Sequence, residues 1–152
     1  RILYLYTSVS YSGVNKMEGY KAALKENRIP VEDSMIHQCS KSFENSRDLL
    51  LSLKEEGLKF DAVLASDDSL AGGAVKYAHT AGISMPEELS IIGYNNSLLA
   101  RCTDPEITSI DSKVEALCTT TVNTLMGVFS GANVPNRTTI ASALIKRKTT
   151  NF

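Results

Sequence analysis

The feature that most limits the fold of this chain is a regular alternation of short apolar runs with segments of helical periodicity. Apolar runs of this length are typical of strands that are buried on both faces of a sheet. Between the runs, apolar residues recur three or four positions apart, which is the spacing of an amphipathic helix. Such alternation predicts right-handed crossovers and an open, mostly parallel sheet with helices on both faces, which is the α/β class.

The pattern also predicts where the elements lie. Strands are expected at residues 2–6, 35–36, 62–65, 90–94, 107–110 and 141–145. Helices are expected around residues 14–24, 49–53, 70–78 and 114–129. Gly57 and Gly82 are expected to end the second and third helices, and Pro86 prevents continuation of the third. We expect Gly93 to let the chain turn sharply at the edge of the sheet.

The chain has 152 residues, which is the size of one domain with a core of its own, and it begins at Arg1 rather than at a methionine. We therefore expect it to be a piece of a longer protein. Its net charge is −1, and no cluster of lysine and arginine stands out. This piece therefore lacks the basic surface of a protein that binds phosphate backbones, so any DNA binding would reside in another segment.

The cysteine count and the hydropathy pattern indicate where the protein resides. Cys39, Cys102 and Cys118 form an odd and scattered set, which argues against a disulfide framework and is typical of a reducing compartment. No apolar run is long enough to span a membrane, and no signal-peptide pattern is present. We expect a cytoplasmic protein without membrane contact.

Polar loops follow four of the expected strands. They lie at residues 7–13, 37–42, 66–69 and 95–97, and are rich in hydroxyl, amide and carboxylate groups. In an open parallel sheet, ligands bind outside the carboxyl ends of the strands. Each loop alone is explained by exposure to water and by helix capping. Four such loops at one edge favour a site for a polar, polyhydroxylated small molecule.

The patterns of catalytic and metal sites are absent from the sequence. It contains no phosphate-binding glycine loop and no G-x-S-x-G elbow. His37 and Cys39 are too few for a zinc site, so we expect no metal, no cofactor and no catalytic residue. Asp67 and Asp68 are adjacent and form a poor acid–base pair; we expect Asp68 to cap a helix and Asp67 to face the rim of loops. Cys118 is interpreted as a small core residue.

Five segments resemble the LacI/GalR family of bacterial transcription regulators, in the family's order. The longest is GISMPEELSIIGYNN at residues 82–96, which is similar to the family pattern G-x-x-V-P-x-D-[IVL]-S-[IVL]-x-G-[FY]-[DN]-[DN]. The others are KMEGYKAAL at 16–24, DSLAGG at 68–73, PEITSI at 105–110 and RKT at 147–149. Short segments are weak individually, but the long run with its spacing is specific.

The resemblance implies a periplasmic-binding-protein-like (type I) fold, made of two α/β subdomains with a cleft between them. Residues 1–152 would be a partial effector-binding domain, in which 1–107 and 135–150 form the C-terminal subdomain. Residues 108–134 would pack on an N-terminal subdomain that this sequence lacks, as it lacks the helix-turn-helix that would bind operator DNA. The apolar stripe on the helix at 114–129 would then be exposed, unless it docks elsewhere or pairs between chains.

The resemblance also implies the effector site. The family's effector-contacting arginine falls on Lys16, and its effector-contacting aspartate falls on Asn95. Ser40 falls where many members carry a stacking aromatic side chain, with Phe43 three residues further on. The other pocket-lining positions are Ser12 and Asp67. Lysine is a point-like donor rather than a planar fork, and asparagine offers one acceptor and one donor group rather than two acceptors. We expect the effector to be a sugar or another polar metabolite.

Three functions compete on this basis. The first is a ligand-responsive repressor that acts as a homodimer, with a dimer surface at the 69–80 helix and the 97–104 segment by resemblance. The second is an exported sugar-binding receptor of the same fold, which the three unpaired cysteines disfavour. The third is a small α/β enzyme, which requires a nucleophile–base pair or a cofactor loop that the sequence lacks. The sequence favours the repressor.

Overall fold

A computed structural model of the chain describes residues 1–7 and 10–152. Its sheet has six strands in the order β2-β1-β3-β4-β5-β6, all parallel except β6, which runs antiparallel to β5. The strands are β1 (Ile2–Tyr6), β2 (Ile36–Gln38), β3 (Ala62–Ala65), β4 (Ser90–Tyr94), β5 (Thr108–Asp111) and β6 (Ala143–Ile145). The helices are α1 (Tyr11–Glu26), α2 (Phe43–Glu55), α3 (Asp68–Ala81), α4 (Leu98–Cys102) and α5 (Val114–Phe129).

The predicted class, a mostly parallel α/β sheet with helices on both faces, is confirmed. The short helix α4 was not predicted, because five residues are too few to show helical periodicity. Part of the predicted loop 7–13 lies outside the described residues, namely Ser8 and Val9. None of the described helices combines the length and the apolarity that a membrane span requires.

One face of the sheet is covered by α2 and α3, and it holds the main core. Leu3 and Leu5 of β1 lie there, together with Val63 of β3 and Ile91 of β4, and all are almost completely buried. The helices approach each other closely because Gly72 and Gly73 of α3 have no side chains. A Cβ atom at Gly73 would lie 2.4 Å from the Cβ of Ser46 on α2. The predicted double burial of β1 is therefore realised.

The opposite face is covered by α1 alone. Tyr4 of β1 stacks on Tyr20 of α1 with ring centroids 5.0 Å apart, and Leu24 completes the buried cluster. The Tyr20 hydroxyl donates to the carbonyl oxygen of Ile2 at 2.8 Å, which fixes the helix on the strand. One helix cannot cover a six-stranded sheet, so this face is only partly filled.

The turn after β4 differs from its predicted form. We expected Gly93 to make the sharp turn, but positive φ angles occur at Asn95 and Asn96, at 99° and 50°. The absence of a side chain at Gly93 instead lets Asp68 approach β4 closely, since a Cβ atom there would lie against the carboxylate of Asp68. Asparagine tolerates positive φ better than most residues, which explains why two asparagines follow the strand.

Helix α5 stands apart from the sheet. None of its residues is buried, and its apolar side chains include Val122, Met126 and Phe129, all more than half exposed. The helix is joined to the sheet by the antiparallel pair β5 and β6. The interpretation of Cys118 as a core residue is wrong, because the helix that carries it has no covering layer.

Candidate ligand-binding site

The strand order places a crevice at the carboxyl ends of β1 and β3. The chain leaves β1 through α1 on one face and leaves β3 through α3 on the other, so the two connections diverge there. In open parallel sheets such a switch point is where ligands bind.

Asp67 is the centre of a polar cluster at this point. Its Oδ2 accepts from Asn95 Nδ2 at 3.0 Å and pairs with Lys41 Nζ at 2.8 Å. Its Oδ1 accepts from the backbone N and the hydroxyl of Ser69, at 2.9 and 2.6 Å. Burial raises the pKa of this carboxyl, but the hydrogen bonds from Lys41 and Ser69 outweigh burial, so its pKa lies below the ordinary value. Asp67 is therefore ionised near neutral pH.

The roles that the sequence predicted for Asp67 and Asp68 are wrong in part. Asp67 faces the rim as expected, but it is also the residue that caps α3, through the Ser69 backbone N. Asp68 is 1% exposed and accepts from Ser97 N at 2.7 Å and from the Ser109 hydroxyl at 2.6 Å. Asp68 is the first residue of α3, and its side chain points into the protein. It therefore connects α3 to β5 and to the segment after β4 instead of capping the helix.

Lys16 reaches the same region from α1. Its Nζ donates to the carbonyl oxygen of Ser66 at 3.1 Å and lies 3.7 Å from the centroid of the Tyr94 ring. Burial lowers the pKa of Lys16, which Asp67 opposes and Lys41 reinforces. A lysine held by one carbonyl and one ring keeps N–H groups free for a ligand.

Asn95 has a conformation that aims its amide at Asp67. Its backbone N donates to the Ile110 carbonyl oxygen at 2.8 Å, which ties the β4 end to β5. The next residue, Asn96, accepts from Arg147 Nη2 at 2.5 Å. The described residues include no donor to Asn95 Oδ1. Within the described part of the chain, this oxygen is therefore open to a donor from a ligand.

The five predicted site residues do not all meet. Lys16, Asp67 and Asn95 lie in or beside one cluster. Ser12 is exposed on the first turn of α1, where it lines a cavity together with Lys16. Ser40 is exposed in the loop after β2, and its side chain makes no hydrogen bond to the described residues of the cluster.

Phe43 does not serve as the stacking aromatic near Ser40. Its ring packs against Gly72, where an added Cβ atom would lie 2.6 Å from the ring. Lys76 Nζ lies 5.3 Å from the ring centroid on that side. Phe43 is the first residue of α2, and α2 packs on α3 on the far face of the sheet. Although Phe43 follows Ser40 by only three residues, it already lies in α2 and its ring faces away from the rim.

An apolar cavity of about 560 Å³ lies between α1 and the sheet, next to the cluster. Four tyrosines contribute to its lining, namely Tyr4, Tyr11, Tyr20 and Tyr94, and Lys16 lies between it and Asp67. The Tyr4 hydroxyl is buried, and no partner for it is found in the described part of the chain. Burial, with smaller contributions from Tyr94 and Tyr6, raises the pKa of Tyr4 to about 12.

Sequence reasoning missed Lys41, Tyr94 and the tyrosine cavity. Lys41 had a signal, since it is the only cation in the four polar loops. Tyr94 was seen only as part of a strand and of a family pattern, yet its ring supports Lys16. The cavity has no sequence signal, because its lining comes from α1, β1, β3, β4 and β5.

The two histidines have structural contacts. His37 Nε2 binds the carbonyl oxygen of Ser34 at 2.8 Å, and His79 Nε2 binds that of Asp104 at 2.7 Å. Burial raises the pKa of the Cys39 thiol, which disfavours its reactive thiolate form. Among residues 1–7 and 10–152, no group of three or more histidine, cysteine or carboxylate side chains is placed to hold a metal ion.

The chain matches the model of the periplasmic binding protein-like domain over residues 1–150, and it belongs to that family. Over 151 residues it is 51% identical to an HTH-type transcriptional regulator of Lachnoclostridium phytofermentans. That match covers 99% of this chain and 45% of the regulator, so the chain spans less than half of its relative's length. The resemblance to LacI/GalR-type regulators is confirmed.

Solved structures agree over almost the whole chain. The Escherichia coli transcriptional repressor AscG superimposes with a TM-score of 0.89 at 27% identity, covering 98% of this chain and 55% of the repressor chain. A sugar-binding transcriptional regulator of the LacI family from Escherichia coli, in complex with phosphate, gives a TM-score of 0.89 at 28% identity. That match covers 98% of this chain and 54% of the other.

Proposed function

We propose that this chain, as a member of the periplasmic-binding-protein-like family, is the effector-binding and dimerisation region of a ligand-responsive transcriptional repressor. The observation that carries the proposal is the polar cluster around Asp67 at the switch point of the sheet. The relatives named above are transcriptional regulators, which favours this function over an exported receptor and over an enzyme. The proposal places the protein in the cytoplasm, where its DNA is.

The cluster has the donors and acceptors that a polyhydroxylated effector requires. Asn95 provides an amide oxygen as acceptor, and Lys16 and Lys41 provide ammonium donors. Asp67, whose two oxygens already bind Ser69, Asn95 and Lys41, holds these groups in place. Sugar hydroxyls both donate and accept, so they satisfy such a mixed set. We assign Ser12 and Ser40 to the outer rim, where both are exposed.

Two strands connect the site to α5, and they provide a route for signalling. Asn95 N is bonded to Ile110 of β5, and β5 leads directly into the segment that carries α5. After α5 the chain returns through β6, so the antiparallel pair β5 and β6 connects α5 to the sheet as a two-stranded ribbon. We propose that α5 packs on a second subdomain, and that effector binding at Asn95 favours one angle of this ribbon. Operator affinity then changes by a shift of populations.

The proposed homodimer uses α4 more than α3. Leu98 of α4 is 66% exposed, and Leu99 is exposed beside it. By contrast, most of α3 is buried within the chain, and its exposed side chains are Lys76, His79 and Thr80. The apolar part of the surface proposed at 69–80 and 97–104 therefore lies in the second segment. Operator DNA would be bound by a helix-turn-helix outside this sequence.

The test is to remove the Asn95 amide without straining the backbone. Asn95→Gly suits this purpose because glycine accepts a φ of 99° freely, whereas alanine does not. In the intact regulator, we expect a panel of sugars to yield one that releases operator DNA, and Asn95→Gly to weaken that sugar's binding about tenfold or more. Asn151→Ala, at an exposed position, is the control. Unchanged sugar affinity in calorimetry of the Asn95→Gly protein would refute the assigned pocket.

A further inference from the structure

The segment that follows β6 is anchored in the sheet, and Arg147 lies where this anchored segment begins. Thr149 is 0% exposed, and its hydroxyl donates to the carbonyl oxygen of Ile91 in β4 at 2.6 Å. The same hydroxyl accepts from the backbone N of Thr108, the first residue of β5, at 2.9 Å. The chain is therefore fixed to both β4 and β5 soon after β6 ends. Arg147 lies between this anchor and the ribbon that carries α5.

The guanidinium of Arg147 binds two acceptors at once. Its Nη1 donates to the carbonyl oxygen of Ile107 at 2.7 Å, and its Nη2 donates to Asn96 Oδ1 at 2.5 Å. The side chain is only 10% exposed, and its ion pair with Glu106 is long, at 3.7 Å from Nε. A planar fork of donors can meet both acceptors, whereas the point-like ammonium of lysine cannot reproduce both directions. The double contact therefore requires arginine.

The contact with Asn96 holds a turn whose backbone conformation is unfavourable by itself. Asn95 and Asn96 both have positive φ angles, at 99° and 50°. Such a conformation persists only where the surrounding contacts hold it. The backbone N of Asn96 donates to the Ser109 hydroxyl at 3.0 Å, and Arg147 adds a charge-assisted bond to the side chain, which is the stronger kind. The turn in this form aims the Asn95 amide at Asp67.

The amide of Asn96 also connects the two strands of the ribbon. Its oxygen faces Arg147, which follows β6. On its other side lies Asp111, the last residue of β5, which lines a cavity together with Asn96. Hydrogen bonds from Lys113 lower the pKa of Asp111, and a hydrogen bond from the Asn96 side chain makes a smaller contribution. One amide beside the effector site therefore contacts both strands that carry α5.

We propose that Arg147 is a positioning residue of the effector site, which holds the turn at Asn95 and Asn96 and couples it to β6. The inference rests on the proposed function, because it names the residue through which effector binding and the position of α5 influence each other. It adds a second connection to the one between Asn95 and Ile110, which reaches β5 alone. A tilt of the ribbon that breaks the bond between Arg147 and Asn96 would release the turn, and effector bound at Asn95 would oppose that tilt.

The experiment compares two exchanges of one cation for another in the intact regulator, isotopically labelled at asparagine nitrogen. Arg147→Lys keeps the charge but loses the fork, and Lys148→Arg makes the reverse exchange at the adjacent, exposed position. NMR measures how fast the Asn95 Nδ2 protons exchange with water, which their bond to Asp67 slows. Arg147→Lys is expected to speed this exchange about fivefold, as for the loss of one hydrogen bond, whereas Lys148→Arg leaves it unchanged.

Asn96→Gly separates positioning from a general loss of stability. Glycine accepts a φ of 50° freely but lacks the amide that Arg147 binds. Because Arg147 acts through this amide, Arg147→Lys is expected to have no further effect on the Asn95 protons in the Asn96→Gly protein. Equal effects of Arg147→Lys in the two backgrounds would overturn the positioning role, since independent sites are additive.

The coupling is tested with operator DNA and the same panel of sugars. Arg147→Lys is expected to need about fivefold more of the active sugar for half release of operator DNA, and an unchanged requirement would overturn the coupling. Unchanged exchange of the Asn95 protons in Arg147→Lys would overturn the whole inference even if a sugar releases operator DNA. Conversely, if the exchange changes as expected but no sugar alters operator binding, the positioning role stands, and the proposed function fails together with the coupling.

Discussion

Helices α3 and α5 have similar lengths and apolar sequences, but their surroundings are opposite. Of the 14 residues of α3, ten are buried, whereas none of the 16 residues of α5 is buried. Helix α3 lies between the sheet and α2, and its glycines allow close approach. Helix α5 is held away from the sheet by β5 and β6. Apolar periodicity therefore indicates that a helix has a face to bury, but it does not indicate what covers that face.

The largest expected effect on stability is that of truncating a buried leucine in α3, compared with truncating an exposed leucine in α5. Leu70 of α3 is 0% exposed and Leu125 of α5 is 50% exposed. Leu70→Ala is expected to lower the free energy of unfolding by about 3 kcal/mol, because a closely packed core leaves a cavity. Leu125→Ala in the same 152-residue chain is expected to change it by less than about 0.5 kcal/mol.

Urea unfolding followed by circular dichroism measures both changes. Equal losses in the two variants would show that α5 has a covering layer in the chain by itself, and the comparison would fail. The same two substitutions can be compared in a longer form of the protein that includes the second subdomain. If α5 packs on a second subdomain there, Leu125→Ala becomes as destabilising as Leu70→Ala.

The acidic residues in the first turns of the two helices give the next effect. Asp68→Asn is expected to lower the free energy of unfolding by about 2 kcal/mol, because a buried carboxylate loses charge-assisted bonds from Ser97 N and the Ser109 hydroxyl. The matched change Glu115→Gln lies in the first turn of α5 and is exposed. It is expected to have almost no effect in the same urea experiment, and a comparable loss there would contradict the contrast.

A smaller effect on stability is expected for two lysine–aspartate pairs, whose aspartates, Asp67 and Asp111, precede α3 and α5. Lys41→Met is expected to lower stability by about 0.5 kcal/mol at neutral pH, because Lys41 is largely exposed and its pair with Asp67 is screened. The pKa of Asp67 is lower in the folded state than in the unfolded state, so this stabilisation is present above the unfolded pKa. It is lost as the pH falls through the folded pKa.

Thermal unfolding across acidic and neutral pH checks this sign. The difference between Lys41→Met and the parent chain is expected to shrink as the pH falls. Lys113→Met, which removes the partner of Asp111 before α5, is the control and is expected to be more sensitive to salt. A difference for Lys41→Met that grows in acid would contradict the assigned pair.

The smallest effect on stability belongs to Val122→Glu on the exposed stripe of α5. The free energy of unfolding is expected to stay within about 0.5 kcal/mol of the parent value. If the stripe pairs between copies of the 152-residue chain, sedimentation shows association in the parent that Val122→Glu abolishes. A parent that stays monomeric at high concentration would reject that pairing.

The core elements could be predicted because their signals are local. Residues 2–6, 62–65 and 90–94 were predicted as strands and match β1, β3 and β4, since continuous apolar runs report burial on both faces. Gly82 ends α3 with a φ of 67°, as its position predicted. The ligand roles of Ser12, Lys16, Ser40, Asp67 and Asn95 remain predictions, although the structure brings three of them into or beside one cluster.

The sequence by itself determined the α/β class, the order of the strands and long helices, the family and the strand ends at which a ligand site is proposed. These follow from periodicity and from local patterns of glycine, proline and asparagine. Only the tertiary structure decided that Lys41 joins Asp67, that Asp68 is an internal tie, that Gly93 makes room for it, and that tyrosines from two strands and α1 line one cavity. These features depend on residues far apart in the chain, and distance in space is set by packing rather than by any local pattern.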